Sequence, residues 1–210
     1  MRHHPSRDWW LAVGLATLAG YVDAIGFLHL SGFFVSFMSG NTTQLAVGVA
    51  QRSGVATTAG GLVLGFVAGV VLGEVLGRAS AGWRRPVVIA ASAALLALAT
   101  VVPMPAPGVV VLAAAMGALN AVFLRDGEVS IGVTYITGTL VKLGQHLAAA
   151  LVGDEPLAAC APYLLLWLGL VGGGVIGAGI YAAGPVAALW YAAAAAGALS
   201  LVSIVVRTPR

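Results

Sequence analysis

The sequence predicts an all-α integral membrane protein with six transmembrane helices, arranged as two inverted three-helix repeats of about 9–102 and 108–206 in a single membrane domain spanning 1–210. Each repeat also carries a re-entrant segment, 31–52 and 129–151, in which an extended stretch leads into a half-helix. Composition, an internal duplication and the placement of arginine carry this expectation.

Of the 210 residues, 60% are hydrophobic and 8% charged, and the mean hydropathy is +1.01. A soluble domain carries about 25% charged residues, so this chain lacks the polar surface to face water and takes the bilayer as its solvent. Ten Lys and Arg stand against seven Asp and Glu. In a membrane protein such an excess orients loops and gives no reason to expect nucleic acid. Cys160 is single, which excludes an intrachain disulfide and a multi-cysteine metal centre, and it reads as a small buried apolar residue. No nucleotide, haem, metal or other cofactor is indicated.

Taken in order, the chain opens with Arg2 and Arg7 before an apolar run from Trp9. That pattern suits a signal peptide or a retained first span; the run continues past Gly20 into further hydrophobic chain, which favours the span. Trp9 and Trp10 are expected at the interface. Six stretches read as spanning helices, roughly 9–28, 56–77, 86–102, 108–124, 158–182 and 186–206, several of them short of the ~20 residues of a full crossing. Between them, 31–52 and 129–151 are more polar, and each is divided by a knot of small residues.

Those two segments align without a gap: "MSGNTTQLAVGVA" (38–50) lies on "ITGTLVKLGQHLA" (136–148). Gly40 then matches Gly138, Ser39 matches Thr137, Asn41 matches Thr139 and Gln44 matches Lys142. Each segment is followed by a glycine-striped helix, with Gly61, Gly65, Gly69, Gly73 and Gly77 in one and Gly169, Gly173 and Gly177 in the other. The next helices start at Pro86 and Pro185. Order and spacing together indicate a duplication. If both odd segments return to the side they enter, six spans with a cytoplasmic N-terminus place Arg2, Arg7, Arg78, Arg84, Arg85, Arg125, Arg207 and Arg210 inside and Arg52 outside. Eight spans would move Arg78, Arg84, Arg85 and Arg125 outside, against the positive-inside rule. Three spans per repeat also turn the second copy upside down, as in many transporters.

Within each odd segment an apolar, β-branched stretch precedes the knot, and Ser39 or Asn41 in the first copy, "TGT" (137–139) in the second, is expected to cap a half-helix. Seven extended residues reach ~23 Å and a dozen helical ones ~18 Å, so each hairpin tip falls near mid-membrane. Non-helical backbone at that depth is tolerated where protein buries it or water lines it. A half-helix beginning there presents free N–H groups and a positive dipole end. Two tips entering from opposite faces would form a polar site from Ser39, Gly40, Asn41, Thr42, Thr137, Gly138 and Thr139. The competing account is that these groups only cap helices and bond neighbouring backbone.

"GYVDAIGFL", "FFVSFMSGNTTQL", "GALNAVF" and "TYITGTLVKLGQHL", in this order and over nearly the whole chain, resemble the YoaK-type bacterial membrane proteins of unknown function. The resemblance implies about six spans in a bacterial inner membrane, multi-pass, and supplies no substrate. The paired stretch-plus-half-helix design is also loosely similar to the central site of sulfate-type and uracil-type transporters.

Asp23 lies in the first helix with no basic partner at helical spacing. A charge at that depth costs ~2.5–3.5 kcal/mol or more, so it binds a cation, exchanges a proton or bonds the nearby knot, unless the outer interface solvates it. Tyr21 either supports the site or anchors the interface, and Asn120 in "GALNAVF" takes the corresponding depth in the second repeat. Lys142 and His146, one turn apart, either serve an anion and a titration step or face the cytoplasm. Glu74 is expected to pair with Arg78, and Asp126, Glu128, Asp154 and Glu155 to be solvated loop charges.

Three function classes follow. A transporter or channel for a small polar solute, with an anion favoured by the half-helix dipoles and Lys142, uses the duplication for alternating access; Asp23 and His146 would couple protons or ions. An intramembrane hydrolase would need Ser39 as nucleophile and His146 as base, yet no GxSxG or HExxH occurs and "FMSG" lacks the glycine expected before an elbow serine; the protein is expected not to be an enzyme. A scaffold subunit would use the glycine stripe, which permits close helix crossing within the protomer or between two. The expected partners are the bilayer, a small solute and a second copy in a homodimer.

Overall fold

A computed structural model describes residues 6–103, 107–125, 128–129 and 131–206. Among them, eight α-helices follow in order: α1 (Ser6–His29), α2 (Met38–Ala50), α3 (Val55–Ala79), α4 (Arg84–Ala99), α5 (Gly108–Leu119), α6 (Ile136–Leu151), α7 (Ala161–Ala183) and α8 (Pro185–Val205). A 3-10 turn, Leu157–Cys160, leads into α7, and a two-residue antiparallel ladder pairs Leu124 with Val129 and Arg125 with Glu128. Arg2, Arg207, Arg210 and Asp126 lie outside the described residues.

Four segments, Asp8–His29, Val55–Ala79, Leu157–Ala183 and Val186–Val205, are long and apolar enough to cross a membrane by length and composition. The expected third and fourth spans are shorter as α-helices. α4 has 16 residues and α5 has 12, against the ~20 a crossing needs. Both continue as tighter i→i+3 turns. Thr100 and Val101 donate to Ala97 and Leu98, and Asn120, Ala121 and Val122 donate to Gly117, Ala118 and Leu119. α5 changes its winding at Asn120, whose side chain is bonded to its surroundings.

The glycine stripes pack inside the protomer. α3 lies against α5 with Gly65, Gly69 and Gly73 facing the backbone of Val110, Ala114 and Ala118. α7 lies against α1 with Gly169, Gly173 and Gly177 facing Val13, Thr17 and Tyr21. Each contact is reciprocated by one glycine from the other helix, Gly117 against Phe66 and Gly20 against Leu170. The remaining packing is matched as well: α2 sits on α3 and α6 on α7, α1 on α8 and α5 on α4, while α4 and α8 pack on each other. Leu15, Val22, Ile25, Leu62, Ile89, Leu96, Leu112, Met116 and Leu119 form the fully buried centre. The outer faces remain apolar: Val67, Val71, Val75, Val175 and Ile176 are all more than half exposed, the surface a bilayer requires.

Polar ties gather at the two ends. At one end Asp8 accepts two hydrogen bonds from Arg85, at 2.6 and 2.8 Å, and the Arg85 guanidinium lies 5.3 Å from the Phe123 ring centroid. There Glu74 accepts from Arg78 at 2.6 Å, as expected, and also from Arg84 at 2.8 Å. Arg84 donates to the Ala121 carbonyl, Ser200 to that of Pro86, and Trp9 meets the Tyr163 ring edge-on. At the other end His29 Nδ1 lies 3.0 Å from the Tyr181 hydroxyl, and Tyr21 donates to the Ala188 carbonyl at 2.9 Å. Because Asp8 is buried, Asp8→Ala is expected to cost about 2 kcal/mol. Arg85→Ala should cost a similar amount and the double variant little more, as read from thermal unfolding in detergent.

Candidate functional site

In the first half, residues 30–37 leave the helical path and α2 starts at Met38. Asp23 holds this stretch from α1: one carboxylate oxygen accepts the N–H groups of Val35 (2.8 Å) and Ser36 (2.7 Å), and the other accepts the Ser36 hydroxyl (2.5 Å). Asn41, fully buried, reaches back from the first turn of α2, accepting from Phe34 N–H at 3.1 Å and donating to its carbonyl at 2.5 Å. Gln44 donates to the Gly32 carbonyl at 3.0 Å. Phe33 and Val35 turn into the core. Asp23 thus bonds the stretch just before the knot rather than the knot's own Ser39, Asn41 or Thr42.

The second half repeats the device with fewer ties. Thr134 donates its hydroxyl to Asn120 at 2.9 Å, and Asn120 donates to the Met116 carbonyl at 3.1 Å. Asn120 and Thr134 stand where Asp23 and Ser36 stand in the first half. Ile131 and Val133 are buried as Phe33 and Val35 are. Both short helices begin through the same i→i+2 turn. Met38 donates to Ser36 around Phe37 (φ −86°, ψ 77°), and Ile136 donates to Thr134 around Tyr135 (φ −86°, ψ 57°), close to an inverse γ-turn.

This turn overturns the expected capping. α2 and α6 have Phe37 and Tyr135 at their cap positions, with no side-chain cap bond. Asn41 and Thr139 lie inside the first turn. Asn41 is drawn back to Phe34, while the Thr42 and Thr139 hydroxyls bond the carbonyls four residues earlier, Met38 and Tyr135. The amides of Ser39 and Gly40, and likewise of Thr137 and Gly138, are left without a hydrogen-bond partner among the described residues. Ser39, Thr42, Thr137 and Gly138 are exposed, Gly40 is partly so, and Asn41 and Thr139 are buried. Each helix thus presents two adjacent N–H donors at its positive dipole end, with hydroxyls beside them. Among the described residues no hydrogen bond joins α2 to α6.

The other expected residues divide. Tyr21 ties α1 to α8 rather than entering the knot. Lys142 is exposed on α6. His146 faces α7, with its ring stacked on Tyr163 at 4.9 Å and Nδ1 2.5 Å from Glu155. Glu155 is therefore a paired group and not the solvated loop charge expected. Its partner lies nine residues earlier on another element, a spacing with no periodic signal. Asp8 was not singled out for the same reason, its partner Arg85 being 77 residues away. Cys160 is buried, as expected. Among the described residues no group of three or more His, Cys, Asp or Glu gathers to hold a metal.

Residues 11–202 match the family described as protein of unknown function DUF1275. The UPF0700 transmembrane protein RA0705 of Rhizobium meliloti (strain 1021) is 34% identical over 201 residues, covering 95% of this chain and 87% of that protein. No solved structure matches the chain significantly.

Proposed function

The chain belongs to the DUF1275 family of multi-pass membrane proteins of unknown function, in keeping with its YoaK-type resemblance, and from its geometry we propose a transporter or channel for a small polar solute. The observation that carries this reading is the repeated, uncapped start of α2 and α6, each with two unbonded amides next to exposed hydroxyls. A small anion is the solute such donors suit. In this reading Ser39, Gly40 and Thr42 serve one half of the path and Thr137 and Gly138 the other. Asn41 and Thr139 shape the turns, and Lys142 adds positive charge.

The reading takes the two halves as inverted repeats with six crossings. Its support is the grouping of contacts at the two ends. Asp8 with Arg85, and Glu74 with Arg84, put the start of α1 and the end of α3 at one end, around the start of α4. Residues 30–54 then leave and return at the opposite end. Ala121 with Arg84, and Trp9 with Tyr163, put the end of α5 and the start of α7 at that same first end, so α6 is entered and left from there. In this reading each short helix is a re-entrant element, one from each face. Arginine at the Asp8 end then makes that end cytoplasmic in a bacterial inner membrane. The reading takes a second copy in a homodimer as its protein partner. We take the protein not to be an enzyme; the base that a Ser39 hydrolase would use, His146, is engaged by Glu155 and Tyr163.

Thermal unfolding of purified protein against a panel of inorganic anions, short carboxylates and nucleobases tests the site. A bound solute at a hundred times its Kd stabilises by about 2.7 kcal/mol, a readily measured shift. The shift is expected in the wild type and reduced in Ser39→Ala and Thr137→Val, whose exposed side chains leave the fold intact, with flux into proteoliposomes following the same order. A panel with no stabilising member, or variants that respond like the wild type, would remove the site from these helices.

A further inference from the structure

The two short-helix units share one plan but are held unequally. The first is tied to α1 by Asp23 at Val35 and Ser36, and braced internally by Asn41 at Phe34 and by Gln44 at Gly32. It is also seated on α3 through Gly48, where a Cβ would stand 2.5 Å from the Ala56 nitrogen. Each of these positions is loosened in the second copy. Asn41 is replaced by Thr139, whose hydroxyl bonds its own helix, and Gln44 by the exposed Lys142. Among the described residues, the three bonds of Asp23 are replaced by one, from Thr134 to Asn120. A Cβ added at Gly138 or Gly144 meets nothing within 4 Å.

Where the first copy has Gly48, the second has His146. Its Nδ1 lies 2.5 Å from Glu155 Oε2 and its ring stacks on Tyr163 at an interplanar angle of 16°. Tyr163 in turn meets Trp9 of α1 edge-on, with centroids 5.9 Å apart. A close backbone contact has no second arrangement short of separating the helices. A side-chain clasp opens by rotamer change alone.

We propose that residues 131–152 form the moving element of this protein, that the α2 unit is the fixed wall it works against, and that His146, Glu155 and Tyr163 are the clasp that docks α6. The inference holds whichever solute is carried, or none, because it concerns which half moves.

Hydrogen exchange by mass spectrometry on the full chain in lipid nanodiscs tests it without a ligand. Amides within 137–150 are expected to exchange at least about tenfold faster than those within 39–50. His146→Ala and Glu155→Gln are each expected to speed exchange in α6 several-fold further while leaving α2 and α3 unchanged. Equal protection of the two helices in the wild type overturns the proposal, and that comparison needs no variant to fold. Unchanged exchange of α6 in both variants overturns the clasp.

Discussion

Replacing Gly69 or Gly173 by alanine is expected to be among the most damaging single-methyl changes in this protein. A Cβ at Gly69 would run into the Ala114 carbonyl, and one at Gly173 into that of Thr17, well inside contact distance. Both obstacles are backbone, which has no rotamer to yield, so α3 must separate from α5 or α7 from α1. Overpacking costs typically 1–3 kcal/mol where side chains can shift; here about 3 kcal/mol or more is expected. Gly172→Ala and Gly179→Ala, on α7, have nothing within 4 Å of the new carbon and serve as controls. Helix propensity there favours alanine by about 1 kcal/mol. Unfolding midpoints should therefore fall for Gly69→Ala and Gly173→Ala and hold or rise for the controls. Equal responses at all four sites would mean that the stripes are not the seams between the halves.

That contrast marks what the sequence could convey. The period-four glycines announce a close helix seam but not its partner. The match of Gly65, Gly69 and Gly73 to Val110, Ala114 and Ala118 became visible only with both helices in place. The gapless alignment of 38–50 on 136–148 was legible, and α2 and α6 do begin at its first residues. The caps were misjudged because Ser, Thr and Asn near a helix start ordinarily bond forward to N–H groups. Here the turns at Phe37 and Tyr135 start each helix early, and Asn41 bonds backward to Phe34. Pairs such as Asp8 with Arg85 or His146 with Glu155 join separate elements, so no spacing rule exposes them. The lengths of α4 and α5 were overestimated because hydropathy does not distinguish an α-turn from the tighter turns that finish both segments.

Asp23→Leu is the second change expected to have a large effect, and Asn120, in the matching place at the end of α5, supplies a comparison. Leucine leaves the N–H groups of Val35 and Ser36 and the Ser36 hydroxyl without their acceptor. Each unpaired buried donor costs about 1–3 kcal/mol, so a loss on the order of 4 kcal/mol is expected, with faster amide exchange at Val35 and Ser36. Asp23→Asn should be mild, near 1 kcal/mol, because its carbonyl still accepts both backbone donors and because asparagine occupies this place in the second half, where Asn120 accepts from Thr134. The mild variant then separates two roles of one carboxylate. Under the proposed transport function, an Asp23 that only positions the stretch leaves solute flux and its pH dependence intact in Asp23→Asn. If its proton is also exchanged during transport, the amide leaves the fold intact and abolishes the pH dependence. A folded Asp23→Asn protein with wild-type pH response would confine Asp23 to holding the first unit in place, as Asn120 holds the second.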